Sequence, residues 1–177
     1  MFTRYTLSKV IALIVGVICL FIAYSTNKNQ PHSIQGFAYG TSWSVTSGKF
    51  IADHHEKNIV KIIDRIDFIA SNYKDNSEIT LINFNNSSGN INISPDRYKI
   101  LTIAKDVEGM SGGYYDITLG KISGALGFSP GFNDNLKNPD KSNYKLTSPN
   151  GLLKSPSFWF DLSSIAKGYA VQEIHEY

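Results

Sequence analysis

The chain of 177 residues is long enough for one domain with its own core and too short for two comfortable ones. Apolar residues at 42% and charged residues at 18% exclude a disordered or collagen-like chain. The 17 basic residues include Arg4 and Lys9 near the N-terminus; without them basic and acidic residues balance at 15 each, and no basic block remains to replace counterions along a phosphate backbone.

Arg4 and Lys9 precede an apolar run from Val10 to Tyr24, the charged-then-apolar order of a secretory signal or an uncleaved membrane anchor. As a helix that run reaches roughly 22 Å against a hydrocarbon thickness of about 30 Å, so its length favours a signal, and Ala23-Tyr24-Ser25 offers a small-x-small cleavage site. Residues 1–25 are therefore expected to be a signal peptide or anchor, and residues 26–36, polar with a proline, a linker. Cys19 is the single cysteine and lies in the apolar run, so the body carries no thiol, which suits an oxidising compartment.

Aromatic and β-branched residues alternating over Phe37 to Thr46 predict a first strand. Apolar residues at Ile59, Ile62, Ile63, Ile66 and Ile69 predict an amphipathic helix over 53–71. Ser77 to Asn86 reads as a short turn of helix leading into a loop, and Asn85 to Asn90 as irregular. Ser94-Pro95-Asp96 announces a second long helix, with a serine cap, a proline in the first position and an acid in the first turn. Its expected buried stripe is Ile100, Leu101, Ala104 and Val107, and its expected end Gly109. Gly112-Gly113 opens a segment from Tyr114 to Leu119, Ser129 to Pro156 reads as a polar surface excursion, and Phe158-Trp159-Phe160 as a buried strand feeding a helix from Ile165 onward.

Three stretches carry chemical promise. In Asp161-Leu-Ser-Ser-Ile-Ala-Lys167-Gly168 a strand runs into a helix through small hydroxyl residues, which suits a phosphate at the first-turn N–H groups with Lys167 nearby; the plainer reading is that Asp161 or Ser163 caps the helix. Gly112-Gly113-Tyr114-Tyr115-Asp116 permits close backbone approach and offers flat faces beside an acid, or is simply a glycine turn before a strand. Ser71-Asn72-Tyr73, with Ser77-Glu78 and Asn83, places an aromatic at a helix exit, where it can cover a pocket. Ser164 and Lys167 also have the spacing of a penicillin-binding-protein nucleophile and its lysine, although the downstream Ser-Asp-Asn and Lys-Thr-Gly partners do not occur. The adjacent His54 and His55 point about 100° apart on a helix and cannot form an i, i+4 metal pair.

Taken together and in order, these stretches resemble the FAD:protein FMN transferases, the ApbE-type flavin transferases, across about residues 37 to 177. The family pattern Met-Gly-Thr-x-Trp/Tyr stands here as Tyr39-Gly40-Thr41-Ser42-Trp43. Ser-x-Tyr with Ser-Glu and an Asn becomes Ser71-Asn72-Tyr73, Ser77-Glu78 and Asn83. Gly-Gly-Ala-Phe-Asp-x-Thr-x-Gly with Trp-Gly-Phe-Gly becomes Gly112 to Gly120 with Leu126-Gly127-Phe128, and Asp-Leu-Gly-Gly-Ile-Ala-Lys-Gly-Tyr-Ala becomes Asp161 to Ala170. Departures from that pattern include Tyr39 for Met, Tyr114 for Ala, Leu126 for Trp and Ser163-Ser164 for two glycines.

The resemblance implies a periplasmic enzyme, exported or held at the inner membrane, that binds FAD with Mg²⁺ and transfers FMN to a threonine of an acceptor flavoprotein subunit; some relatives mainly hydrolyse FAD. Carried over by position, the FAD contacts are Tyr39, Tyr73, Tyr114, Tyr115, Asp116, Asp161 and Lys167, and the Ser164 carbonyl stands where the metal is held. The implied fold is α+β, an ApbE-type, T-fold-like mixed sheet with packed helices. It reads as truncated, because the family pattern continues past the last helix into a segment with further metal ligands. Two other readings accompany the transferase: an exported flavin-binding domain or remnant without catalysis, and a serine hydrolase built on Ser164 and Lys167.

Overall fold

Helices and short strands follow the sequence signals in order. A computed structural model describes residues 4–28, 31–87, 89–128, 144–156 and 159–177. By contact density the chain divides into two units, residues 1–36 with 42–56, and residues 37–41 with 57–177.

In the first unit α1 spans Arg4–Lys28. Its apolar stretch Thr6–Thr26 has a mean hydropathy of 2.5 and buries nothing against protein. Twenty-five residues of α-helix extend about 37 Å, longer than the apolar run alone suggests and enough to cross a hydrocarbon core. The helix therefore fits either a signal sequence or an anchor by length and composition.

The single strand expected over 37–46 is instead a hairpin of β1 (His32–Ala38) and β2 (Thr41–Ser47). Tyr39 and Gly40 occupy its turn with φ of 52° and 71°, the left-handed pair that matches the twist of a two-residue hairpin loop. The alternation of aromatic residues continues across that turn and conceals it. β1 begins inside the stretch read as linker. Its His32 Nδ1 accepts the Ile51 N–H at 3.2 Å, and the His32 ring lies against Phe50.

The second unit holds the core. α2 (Asp53–Ala70) turns Ile63, Ile66, Ile69 and Ala70 inward, the apolar stripe expected of it. α3 (Glu78–Phe84) starts at Ser77, whose Oγ accepts the Thr80 N–H at 3.1 Å and donates to the Ser71 carbonyl. α4 (Pro95–Met110) starts at Ser94, whose Oγ accepts the Arg97 N–H, with Pro95 in the first turn as the sequence predicts; it runs one residue past Gly109. Ile100, Leu101 and Ala104 are buried, while Val107 is only half-buried. Arg97 takes a fourth inward position, because its guanidinium meets the Glu78 carboxylate, which also accepts the Ser94 hydroxyl at 2.6 Å. Burial pulls the Arg97 guanidinium below its ordinary range, and the charge and hydrogen bond of Glu78 offset part of that fall.

The polar excursion expected over 129–156 is in its second part a strand pair; residues 129–143 lie outside the described residues. β4 (Tyr144–Thr147) and β5 (Gly151–Lys154) are antiparallel, with Tyr144 opposite Lys154 and Leu146 opposite Leu152. β3 (Ile91–Asn92) joins the other edge of β5. Leu152 is fully buried and Tyr144 packs edge-on against Phe160, so this hairpin belongs to the core. The strands are four residues each and contain two lysines, too short and too polar for alternation to stand out in the sequence.

Residues 114–119, opened by the two glycines, make turns ahead of α5 (Gly120–Ala125) rather than a regular strand. They run beside residues 159–161, where Leu119 and Trp159 form a parallel bridge, the Asp161 N–H donates to the Ile117 carbonyl at 2.7 Å, and the Gly120 N–H to the Trp159 carbonyl at 2.8 Å. A Cβ on Gly120 would stand 2.6 Å from the Trp159 oxygen, so the approach requires glycine. On the other side Asn83, 5% exposed, donates from Nδ2 to the Phe160 carbonyl at 2.9 Å and accepts the Phe160 N–H at 2.8 Å. α6 (Ser163–Glu176) follows, and its Ala166, Tyr169 and Ala170 close the core against α4.

One polar network ties the helices outside the core. Arg65 of α2 reaches Asp96 of α4 at 2.6 Å and Glu173 of α6 at 2.7 Å, and the Tyr169 hydroxyl donates to Asp96 at 3.3 Å. Burial alone would raise the Glu173 carboxyl, but hydrogen bonds from Arg65 and Tyr169 and the charges of Lys99 and Arg65 hold it below the usual carboxylate range.

Two measurements test this architecture. Asn83→Ala removes both partners of a buried backbone amide and is expected to lower the unfolding free energy by about 2–4 kcal/mol in chemical denaturation. Because the Glu173 carboxyl is depressed in the folded state, its contribution is complete above the unfolded value and is lost as pH falls through the folded one. The stability gap between the parent and Glu173→Gln should therefore be widest near neutrality and close as the pH drops below about 4.

Candidate functional site

The second unit has an open pocket where the C-terminal end of α2 and residues 71–73 face the first turns of α6. Tyr39, Asp67, Ala70, Ser71, Asn72, Tyr73, Ser163, Ala166 and Lys167 line it. Its cavity volume is about 30 Å³, room for a couple of water molecules, so a larger ligand would lie across its mouth rather than inside it.

Each wall has a local cause. Tyr39 sits in the hairpin turn, and its phenol donates to the Ile63 carbonyl of α2 at 2.8 Å, which pins the ring as a fixed wall. Burial, with Asp67 and Asp64 nearby, pushes that phenol above its ordinary range, so it stays protonated. Tyr73 follows the end of α2 with its N–H on the Ser71 hydroxyl and stands 59% exposed, a flat face available to a ligand. Asp67 forms a 2.5 Å ion pair with Lys74. Lys167 lies one turn into α6 and is exposed.

Beside the pocket, the pairing of 117–120 with 159–161 gathers a second set of residues. Asp116 Oδ1 accepts both the N–H and the hydroxyl of Thr118, at 2.8 and 2.6 Å, and thereby shapes its own loop. Asp161 Oδ1 accepts the Ser163 N–H at 2.9 Å. The capping position of α6 itself is Leu162, which offers no side-chain oxygen, so the aspartate one residue earlier closes the helix mouth. The Tyr115 hydroxyl lies 3.1 Å from the Ser164 hydroxyl, joining the glycine loop to the first turn of α6. Burial raises the Tyr115 phenol, the Ser164 hydrogen bond offsets part of that rise, and the Asp161 charge adds to it.

Of the residues singled out by sequence, Tyr39, Tyr73 and Lys167 share one pocket. Asp116, Asp161, Tyr115 and Ser164 lie along the adjoining loop-to-helix junction. Tyr114 is 99% exposed. Ser77, Glu78 and Asn83 do not line the pocket: their side chains hold α3, α4 and the Phe160 backbone in place. Sequence reasoning missed Asp67. The only signal for it was an acid on the last full turn of an otherwise apolar helix face.

Among the described residues no group of three or more histidine, cysteine, aspartate or glutamate side chains could hold a metal ion. Asp161 and Asp116 each already engage local N–H groups, and the Ser164 carbonyl is a single oxygen. A divalent cation does not fit these residues by themselves, since an oxygen site needs carboxylates or phosphates to complete it.

Comparison with known proteins identifies the family and the fold. The ApbE family profile matches residues 39–177. An FAD:protein FMN transferase of Haemophilus influenzae is 28% identical over 93% of the chain and 55% of its own length. The flavin transferase ApbE of Vibrio cholerae superposes with a TM-score of 0.70 at 23% identity, covering 84% of this chain and 53% of that one. The apo flavinyl transferase ApbE of Pseudomonas stutzeri gives 0.70 at 19% identity over 84% and 54%. The chain thus spans about half the length of these relatives, with the same mixed α+β fold over that half. The family profile covers most of the chain and the fold matches over most of it as well: the chain belongs to the ApbE family.

Proposed function

We propose that this chain carries the donor-binding half of an FAD:protein FMN transferase, exported or held at a membrane by α1. The observation that supports this best is the pocket between α2 and α6, where a flat aromatic face, a fixed tyrosine wall and a lysine converge. FAD, the substrate, presents two planar ring systems joined by a diphosphate. Tyr73 supplies a stacking face worth about 1 kcal/mol beyond buried area, and the Lys167 ammonium lies within reach of a diphosphate at the first turns of α6.

Asp161 sets a constraint on the pose. Its carboxylate already accepts the Ser163 N–H, so an anion entering the same helix mouth meets a like charge. Lys167, four positions further on, offsets that repulsion, and the diphosphate would sit toward the lysine rather than directly over the helix axis. Tyr115, Asp116 and Ser164 would border the other side of the ligand, with Tyr114 as an exposed flap.

In the transfer itself a threonine hydroxyl of the acceptor attacks the flavin-side phosphorus. The new P–O bond forms as the bridging P–O bond breaks, AMP departs with the bond electrons, and the hydroxyl proton is released. This chain's own residues bind and orient the donor in that scheme, and Mg²⁺, when bound, would neutralise phosphate charge. Since the residues described here do not complete an oxygen site, no step is assigned to the metal.

Titration of the full chain with FAD, followed by flavin fluorescence, tests the reading. Lys167→Ala is expected to raise the dissociation constant by about tenfold, as loss of a charge-assisted contact does, while leaving the unfolding midpoint within a few degrees of the parent. Failure of the parent to bind FAD would overturn the reading. Incubation with FAD, Mg²⁺ and an acceptor protein, read as flavin fluorescence on a denaturing gel, distinguishes transfer from binding alone.

A further inference from the structure

Arg65 lies outside the pocket, on the surface of α2, with its guanidinium spread between two carboxylates of different helices. One nitrogen meets Asp96 of α4 at 2.6 Å and another meets Glu173 of α6 at 2.7 Å. Their side chains are only 20% and 16% exposed, against 43% for Arg65, so the acids face a partly desolvated seam. Lys99 stands 4.0 Å from the second Glu173 oxygen, and the Tyr169 hydroxyl closes the set on Asp96.

An isolated exposed ion pair contributes little. This one differs in its two-carboxylate fork and in where its helices lead. Six residues on from Arg65, just past the end of α2, is Ser71, a wall of the pocket, and six residues back along α6 from Glu173 is Lys167, the wall opposite. Each of these two walls is about 9 Å along its helix from the ion pair, with Asp67 nearer to it on α2. The chain runs from clamp to pocket in α2 and from pocket to clamp in α6, so the two helices are antiparallel between these points. A tilt of about 10° about the clamp moves a pocket wall by about 1.5 Å, which is large for ligand contacts that depend on sub-ångström placement.

We infer that Arg65 is a positioning residue for the pocket: by bridging Asp96 and Glu173 it fixes the separation of the α2 and α6 walls, and with it the placement of Lys167 opposite Ser71 and Tyr73. The inference rests on the proposed donor site for its binding consequence, but the geometry it describes exists without ligand. Neither Asp96 nor Glu173 lines the pocket, so the effect is carried through the helices and not by contact.

The test uses the full chain with Cys19→Ala and nitroxide labels on Ser71→Cys and Ser163→Cys, the two facing walls, together with unlabelled protein for FAD titration. Arg65→Met is expected to spread the dipolar broadening between the labels and, in the unlabelled protein, to weaken FAD binding about tenfold, well below its unfolding temperature. Arg65→Lys, which keeps one charge contact but not the fork, should fall between parent and Arg65→Met in both readouts. Glu173→Gln serves where Arg65→Met fails to fold. A lower unfolding temperature with unchanged broadening and unchanged affinity would mean that the bridge only stabilises the domain, and would overturn the inference. If the parent binds no FAD, the donor-site reading fails, and the label spectra alone decide whether Arg65 sets the gap.

Discussion

The structure depends on how the backbone of residues 159–161 is satisfied. Phe160 is fully buried, away from bulk water, and among the described residues no long strand runs beside it to form a ladder. Asn83 meets both of its polar groups, while Ile117 and Gly120 take the neighbouring ones on the opposite side. A side-chain amide thus acts as a strand one residue long. One side of the site is hung from this segment: Asp161 emerges at its end, α6 begins two residues later, and the glycine loop is held parallel to it.

That arrangement explains why the family motifs lie far apart in sequence yet share a place in space. Asn83 and Ser77 occupy motif positions without touching the pocket; they fix the elements that do. Glu78 has the same kind of role through Arg97, whose burial would be untenable without it. Tyr39, Tyr73 and Lys167, in contrast, present free surfaces of their own side chains to the gap between α2 and α6.

Much of this was legible in the sequence. The periodicity of α2 and the Ser-Pro-Asp start of α4 name their own boundaries, because helix spacing and capping are local properties. The hairpin turn at Tyr39 was hidden because a tyrosine, not an asparagine or glycine, holds the first left-handed position, its phenol being tethered to α2. β4 and β5 were hidden because four-residue strands with lysines owe their burial to long-range partners. At the site, the motif residues announced themselves, but the division between those that line the pocket and those that brace it needed the fold. Arg65 had no local signal and Asp67 only a faint one: their significance comes from what stands opposite.

The pairing beside Gly120 has a wider consequence. Asp116 and Asp161 belong to two segments separated by more than forty residues, yet the contact that joins those segments leaves no space for even a methyl group. Replacement is therefore barred at Gly120 by fixed backbone atoms, whereas at the more conspicuous Gly112 and Gly113, where added carbon meets nothing, it is opposed by positive φ values of 65° and 89°. Glycines that look alike in the sequence thus resist replacement for different reasons, Gly120 because two chain segments pass too close and the Gly112-Gly113 pair because of the turn their backbone makes.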